Sequence, residues 1–191
     1  AAMLGNLGVM YSFLANHEKA LGYFEKSLQL AETLGDLPQK AKIFGNLGAT
    51  NLVLNDFPKA ISYLDQAISA QTSLNNTKAL GTVYSNKGIA YYNLGDYPNA
   101  LESYQKALTI AQKTGKAISE AHALTNISVA YYHLKDYPKA LEYQQKALVI
   151  HEKSGNKTDI ARDYINFSSR YRAMNNHTAA LESLQKALAL L

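Results

Sequence analysis

The sequence predicts an all-α fold, a right-handed superhelical solenoid of antiparallel helix pairs. Three observations predict it: an internal period of 40 residues, apolar stripes of helical spacing within each period, and turn residues between the stripes. The chain has 191 residues, of which 47% are hydrophobic, enough for a core. It has no cysteine, which excludes disulfides and zinc–thiolate sites.

The period is clearest in a column of five asparagines that recur without insertion or deletion. These are Asn6, Asn46, Asn86, Asn126 and Asn166. A column of small residues keeps the same step and indicates close contacts between helices. It contains Ala20, Ala60, Ala100, Ala140 and Ala180. The columns predict one array of repeats at 1–40, 41–80, 81–120, 121–160 and 161–191, the last one truncated and without a capping helix.

Each repeat contains residues typical of helix ends and of the turn between two helices. In the third repeat an apolar stripe ends at Leu94, and Asp96 then stands where it can cap the following helix. Asp56 and Asp136 occupy the matching places in their repeats. The second helices are expected to end at glycines, which are Gly35, Gly115 and Gly155.

The segments YYNLGDYPNALESYQKAL and YYHLKDYPKALEYQQKAL carry these small residues together with Asp-Tyr-Pro at the turn between helices. They resemble tetratricopeptide repeats, in the longer form found in Pins-type spindle-orientation adaptors, and they are similar to the extended repeat of kinesin light chain. The resemblance covers the whole chain. It implies stacked helix pairs whose first helices form a concave wall that binds another polypeptide.

Two positions depart from the repeat pattern. Lys87 stands where the other repeats have an apolar residue, and its ammonium is expected to reach water or a hydroxyl such as that of Tyr91 or Tyr104. Gln144 also replaces an apolar residue, which leaves the packing around it undefined. The apolar counterparts are Leu7, Leu47, Ile127 and Phe167 for Lys87, and Phe24, Leu64, Tyr104 and Leu184 for Gln144.

The asparagine column lies in the first helices, which carry few charges: none from Ala1 to Leu14. Asparagine within a helix is less favourable than alanine, so five of them cost about 3 kcal/mol. The resemblance implies that Asn6, Asn46, Asn86, Asn126 and Asn166 hold the backbone of an extended ligand. Alternatively, each amide bonds to a neighbouring helix and fixes the stacking angle; the sequence leaves both interpretations open.

The remaining inner positions are expected to select ligand side chains. In the first four repeats they offer Val9, Phe13, Ala49, Val53, Ile89, Tyr92, Val129 and Tyr132, which suit leucine or aromatic anchors or simply pack between helices. In the last repeat the lining is basic, with Arg162, Arg170 and Arg172 near His122 and His133. An acidic stretch of ligand would suit that region.

No enzyme motif occurs in the sequence. His17-Glu18 and His151-Glu152 lack a second histidine four residues after the first, and no phosphate-binding glycine loop is present. The five histidines are scattered and are interpreted as surface or groove residues. We therefore expect no catalytic residue, no metal site and no cofactor.

The leading functional hypothesis is an adaptor or scaffold that binds a protein or peptide. One alternative is a sensor module of a larger signalling enzyme such as a kinase, cyclase or protease. Another is an RNA-binding helical repeat, which is disfavoured because the lysines lie mainly on the second helices and the net charge of +4 is dispersed. No apolar run is long enough for a membrane span, so a cytoplasmic location is the default expectation. Apolar, uncapped end faces predict end-to-end self-association.

Overall fold

The computed structural model describes residues 1–190, which form ten α-helices and no strand. The helices are α1 Ala2–Phe13, α2 His17–Thr33, α3 Leu37–Val53, α4 Phe57–Ser73, α5 Thr77–Asn93, α6 Tyr97–Lys113, α7 Ala117–His133, α8 Tyr137–Ser154, α9 Lys157–Ala173 and α10 His177–Leu188. The predicted all-α class is confirmed. None of the described helices is both long enough and apolar enough to cross a bilayer.

Capping residues fix where many of the helices begin. The Oδ1 atoms of Asp56 and Asp136 accept the backbone N–H groups of Lys59 and Lys139, at 3.3 and 3.2 Å. The ammonium groups of the two lysines also form ion pairs with the same carboxylates, at 2.8 and 2.9 Å. This side-chain hydrogen bond lowers the pKa of Asp56 and of Asp136 below the ordinary value. Two of the three cap positions predicted from sequence, Asp56 and Asp136, therefore act as caps.

A residue with positive φ stands in each of the short turns between helices. The predicted glycines Gly35, Gly115 and Gly155 have φ of 64°, 64° and 71°. In five other turns the residue with positive φ is not glycine. These residues are Ala15, Asn55, Asn75, Lys135 and Asn175. Because each turn contains only two or three residues, consecutive helices run antiparallel.

The chain forms two compact units, and the N-terminal unit is Ala1–Asp96. Within it consecutive helices pack together, and the first helices α1, α3 and α5 also contact one another in series. Glycines allow the closest approaches. A Cβ atom built on Gly8 would lie 2.5 Å from the ring of Phe24, and one on Gly48 would lie 2.6 Å from Leu64. Ala20 and Ala60 of the small-residue column are fully buried in this unit, as expected of residues at close helix contacts.

Lys87, on α5 of this unit, is mostly buried but finds a charged partner. Its Nζ atom lies 2.5 Å from Oδ1 of Asp65 on α4 and 5.6 Å from the ring centre of Tyr91. The expectation of a hydroxyl partner is therefore corrected to a carboxylate and an aromatic face. A carboxylate competes better because it carries a full opposite charge.

The C-terminal unit begins at Tyr97 and contains α6 to α10, again with consecutive helices packed together. Ala100 and Ala140 are fully buried, and Ala180 is nearly so. The Ser128 hydroxyl, at the place that Gly8 and Gly48 occupy in their repeats, donates a 2.6 Å hydrogen bond to the carbonyl of Ala140. That bond joins α7 directly to the backbone of α8.

Candidate functional site

The five asparagines of the column lie on the first helix of each repeat, and none of their amides is fully buried. Asn6 is exposed on α1, and the others are half-buried on α3, α5, α7 and α9. Within residues 1–190 no side-chain amide of these five makes a hydrogen bond to protein. The stacking interpretation requires amide bonds to a neighbouring helix, and such bonds are absent from the described chain.

A cleft of about 280 Å³ lies in the N-terminal unit beside one of these asparagines. Its wall is built from α1, the start of α2, and α3. It brings together Asn46 and four residues predicted to line the binding surface, which are Val9, Phe13, Ala49 and Val53. His17 also lines it, and the Nδ1 atom of His17 is buried without a hydrogen-bond partner among the described residues. The cleft is apolar with few polar groups at its wall.

The other apolar positions predicted to line the surface are half-buried. Ile89 and Tyr92 lie on α5, and Val129 and Tyr132 lie on α7. The ring of Tyr132 lies edge-on to the ring of His133, with centres 5.4 Å apart. These side chains pack partly against their neighbours and keep one side accessible.

The basic residues predicted in the last repeat have different environments. Arg162 and Arg172 are exposed, and Arg162 pairs with Asp159 at 2.9 Å. Arg170 is only 3% exposed. Its guanidinium donates to the carbonyl of Asn166 at 3.0 Å and to the Ser128 hydroxyl at 3.3 Å.

Arg170 therefore does not line an open surface as expected, because protein groups already bind its guanidinium. The carbon at the centre of that guanidinium lies 5.3 Å from the ring centre of Tyr132. His122 and His133 are exposed on α7. Of the residues predicted for this basic region, Arg162, Arg172, His122 and His133 are thus exposed and Arg170 is buried.

A buried polar network, which the sequence analysis missed, joins α8 to α9. Gln144 is fully buried and donates to Oδ1 of Asp163 at 2.7 Å. Oδ2 of Asp163 lies 2.6 Å from Nδ1 of His151, which is itself buried. Burial raises the pKa of the Asp163 carboxyl above its ordinary value, and the contact with His151 offsets this only in part.

The network explains why Gln144 departs from the repeat pattern. Asp163 departs as well, since its column otherwise contains Met3, Ile43, Val83 and Ala123. His151 stands where other repeats have Ala31, Gln71 and Ala111. Three unusual residues in two successive repeats are the signal that would have located this network from sequence.

The sequence matches the family described as tetratricopeptide repeat over residues 1–73, 79–153 and 119–191. The chain belongs to the tetratricopeptide repeat family. Proteins of this family are in general interaction modules for other proteins rather than enzymes. The resemblance to tetratricopeptide repeats is confirmed by matches from one end of the chain to the other, with only residues 74–78 outside them.

Solved structures share the fold of this tetratricopeptide repeat chain. The apo form of RapI superposes with a TM-score of 0.92 at 18% identity, covering 99% of this chain and 69% of that one. A kinesin light chain repeat protein of Podospora anserina gives 0.84 at 16% identity, covering 99% and 93%. A signal transduction ATPase with numerous domains from Pyrococcus horikoshii, which has a tetratricopeptide repeat sensor, gives 0.86 at 24% identity. There the match covers 98% of this chain and 28% of the other. No curated protein matches the sequence.

Proposed function

We propose that this chain is a non-catalytic adaptor that binds an extended peptide segment along its first helices. The observation that carries the proposal is the asparagine column. Five amides recur at one place of the repeat, none is fully buried, and none is hydrogen-bonded to protein within residues 1–190. A polar side chain that is unfavourable in a helix and unused in the fold is well suited to a role in binding.

The chemistry of the amide fits the backbone of an extended peptide. Each asparagine side chain offers one acceptor and two donors, so it can bind both a peptide N–H and a peptide C=O. Neither contact depends on the side chains of the ligand. A ladder of such amides therefore gives affinity for many extended sequences, and selectivity has to come from other contacts.

The apolar cleft beside Asn46 supplies a place for such a selective contact. Its volume of about 280 Å³ suits one large side chain rather than a whole small-molecule ligand. Val9, Phe13 and Val53 give it apolar walls, so a leucine or aromatic anchor of the peptide would be buried there.

The test begins with peptides selected from a random displayed library on the 191-residue chain. Replacing Asn46 or Asn126 with alanine should weaken binding of a selected peptide about five- to thirtyfold, because one or two hydrogen bonds of about 1 kcal/mol each are lost. Melting temperature should stay level or rise slightly, since alanine is the better helix former. Titration calorimetry and thermal unfolding of the same samples measure both quantities.

Gln29→Ala is the matched control, because it removes an exposed amide from the second helix α2. This variant should bind the peptide as the parent does. Methylating the peptide backbone nitrogens opposite the asparagines should abolish binding. Unchanged affinity of Asn126→Ala together with a clearly lower melting temperature would instead assign the asparagine to helix stacking.

A second candidate function is a sensor module of a larger signalling enzyme. It is favoured by the likeness to the P. horikoshii ATPase, in which the repeats are described as a sensor and of which this chain spans 28%. Both functions use the same peptide-binding surface. The sequence of the complete gene distinguishes them, because a sensor module would be fused to a catalytic domain.

A further inference from the structure

Two histidines and a carboxylate from three consecutive helices meet in the C-terminal unit. His122 belongs to α7, His151 to α8 and Asp159 to the first turn of α9. Each residue has a side-chain atom that can bind a metal, a ring nitrogen or a carboxylate oxygen, and these three atoms lie within 4.8 Å of one another. Imidazole and carboxylate together form the ligand set that divalent first-row metals prefer.

The environment of His151 is the second and independent indication of a metal. The ring is 2% exposed and its Nδ1 faces the Asp163 carboxylate at 2.6 Å, so in a neutral ring Nδ1 carries the proton and Nε2 keeps its lone pair. That Nε2 is buried and has no hydrogen-bond partner among the described residues. An unpartnered buried acceptor is unfavourable. Metal-binding histidines in proteins usually donate one ring N–H to a carboxylate, which orients the ring so that the other nitrogen can bind the metal. His151 and Asp163 have this arrangement.

Asp159 supplies an anionic ligand that is largely shielded from water. It is 8% exposed, and its two oxygens accept from Nδ2 of Asn156 at 2.6 Å and from Nη1 of Arg162 at 2.9 Å. Each carboxylate oxygen retains a further lone pair after one such bond. Arg162 is more than half exposed, so its ion pair with Asp159 is a weak surface pair. A divalent ion would therefore displace Arg162 from the carboxylate.

The third ligand, His122, is exposed and therefore free to adjust. Its ring centre lies 6.1 Å from that of His151. In a tetrahedral zinc site with bonds of 2.0–2.1 Å the ligand atoms are about 3.3 Å apart. The ligand atoms must therefore approach one another by up to about 1.5 Å, and rotation of the exposed His122 side chain contributes to this approach.

We propose that His122, His151 and Asp159 bind one Zn²⁺ or a similar divalent ion such as Co²⁺, with water completing the coordination. The ion would connect the helices α7, α8 and α9. Asp163 is a positioning residue that holds the His151 ring. Because binding favours the folded chain, the ion raises thermal stability.

The test is titration of ZnCl₂ into the metal-free 191-residue chain, followed by calorimetry and thermal unfolding. One ion should bind per chain and raise the melting temperature. His122→Ala should weaken binding at least a hundredfold without loss of fold, since the side chain is exposed. His177→Ala removes another exposed histidine, on α10, and should leave binding unchanged. Co²⁺ provides an independent readout, because its visible absorption reports the coordination geometry directly.

Two further variants separate metal binding from general stability. Asp163→Asn should weaken binding about ten- to a hundredfold, as is usual for partners that orient a ligand histidine. Arg162→Gln should strengthen binding severalfold, because it removes the cation that competes for Asp159. Absence of Zn²⁺ binding at millimolar concentration overturns the proposal. Binding that His122→Ala leaves intact, or that Arg162→Gln weakens, overturns it as well.

Discussion

At the scale of single residues, Lys87 shows how the repeat accommodates a charge in an apolar column. Its counterparts Leu47 and Ile127 are fully buried, whereas the Lys87 side chain keeps 19% of its surface exposed. The stem packs and the ammonium reaches Asp65, whose side chain is 51% exposed. An ion pair with one exposed partner contributes little, about 0.5 kcal/mol.

Lys87→Leu should therefore raise the free energy of unfolding by about 0.5 kcal/mol. Burying the leucine gains about 1 kcal/mol and losing the ion pair offsets half of it. Chemical denaturation measures the change, and peptide binding should be unaffected. Asp65→Asn is the control: it should destabilise the parent slightly and have no effect once Lys87 is leucine. A loss of peptide binding in Lys87→Leu would contradict the purely structural role of this lysine.

At the scale of elements, the helix pairs depend on a turn residue in the left-handed region. At four of the turns between helices that residue is glycine, but Ala15 and Lys135 adopt φ of 55° and 62° with a Cβ atom present. For an L-residue this conformation costs roughly 1 kcal/mol. These two turns therefore store strain that the glycine turns do not.

Lys135→Gly should stabilise the chain by up to about 0.5 kcal/mol, since relief of about 1 kcal/mol of strain slightly exceeds the cost of the added entropy of glycine in the unfolded chain. Lys135 is exposed, so little packing is lost. Gly155→Ala is the matched inverse: a Cβ there meets no atom within 4 Å, yet its φ of 71° makes the substitution unfavourable. It should lower stability by up to about 0.5 kcal/mol, because the lower entropy of alanine in the unfolded chain offsets part of the strain. Thermal unfolding of both variants checks the pair, and equal signs would contradict the argument.

The helices were predictable because their determinants are local and periodic. Asp56 and Asp136 cap where the pattern places them, and the asparagine column follows from spacing alone. The contacts of His151 with Asp163 and its proximity to His122 were not predictable in this way. They join residues of separate helices at one junction only, so no column records them. The left-handed turn at Lys135 was missed because lysine is not a residue that favours positive φ.

At the scale of the whole molecule, α1 and α10 leave large apolar side chains in contact with solvent. On α1, Met3 is 79%, Met10 57% and Phe13 81% exposed. On α10, Leu181 is 58% and Leu188 74% exposed. Apolar faces of this kind associate in water.

We expect the 191-residue chain to self-associate through these faces at high concentration. Sedimentation velocity from micromolar to millimolar protein should show a rising average mass. Met3→Glu with Met10→Glu should suppress it, because a charge in the contact must be desolvated. Gln29→Glu places the same charge on the exposed face of α2 and should not suppress it. A strict monomer over the whole range would contradict this expectation.

The buried contact of Gln144 and His151 with Asp163 restricts how this gene can be rearranged. Repeats of equal length invite unequal recombination, which inserts, deletes or reorders them without breaking the reading frame. Placing the fifth repeat after the second would set Asp163 against Leu64 and Gln71, the residues that occupy the places of Gln144 and His151. A buried carboxylate that loses its partners costs about 3–5 kcal/mol. We therefore expect the fourth and fifth repeats to be kept together, and junctions without such a contact to tolerate exchange.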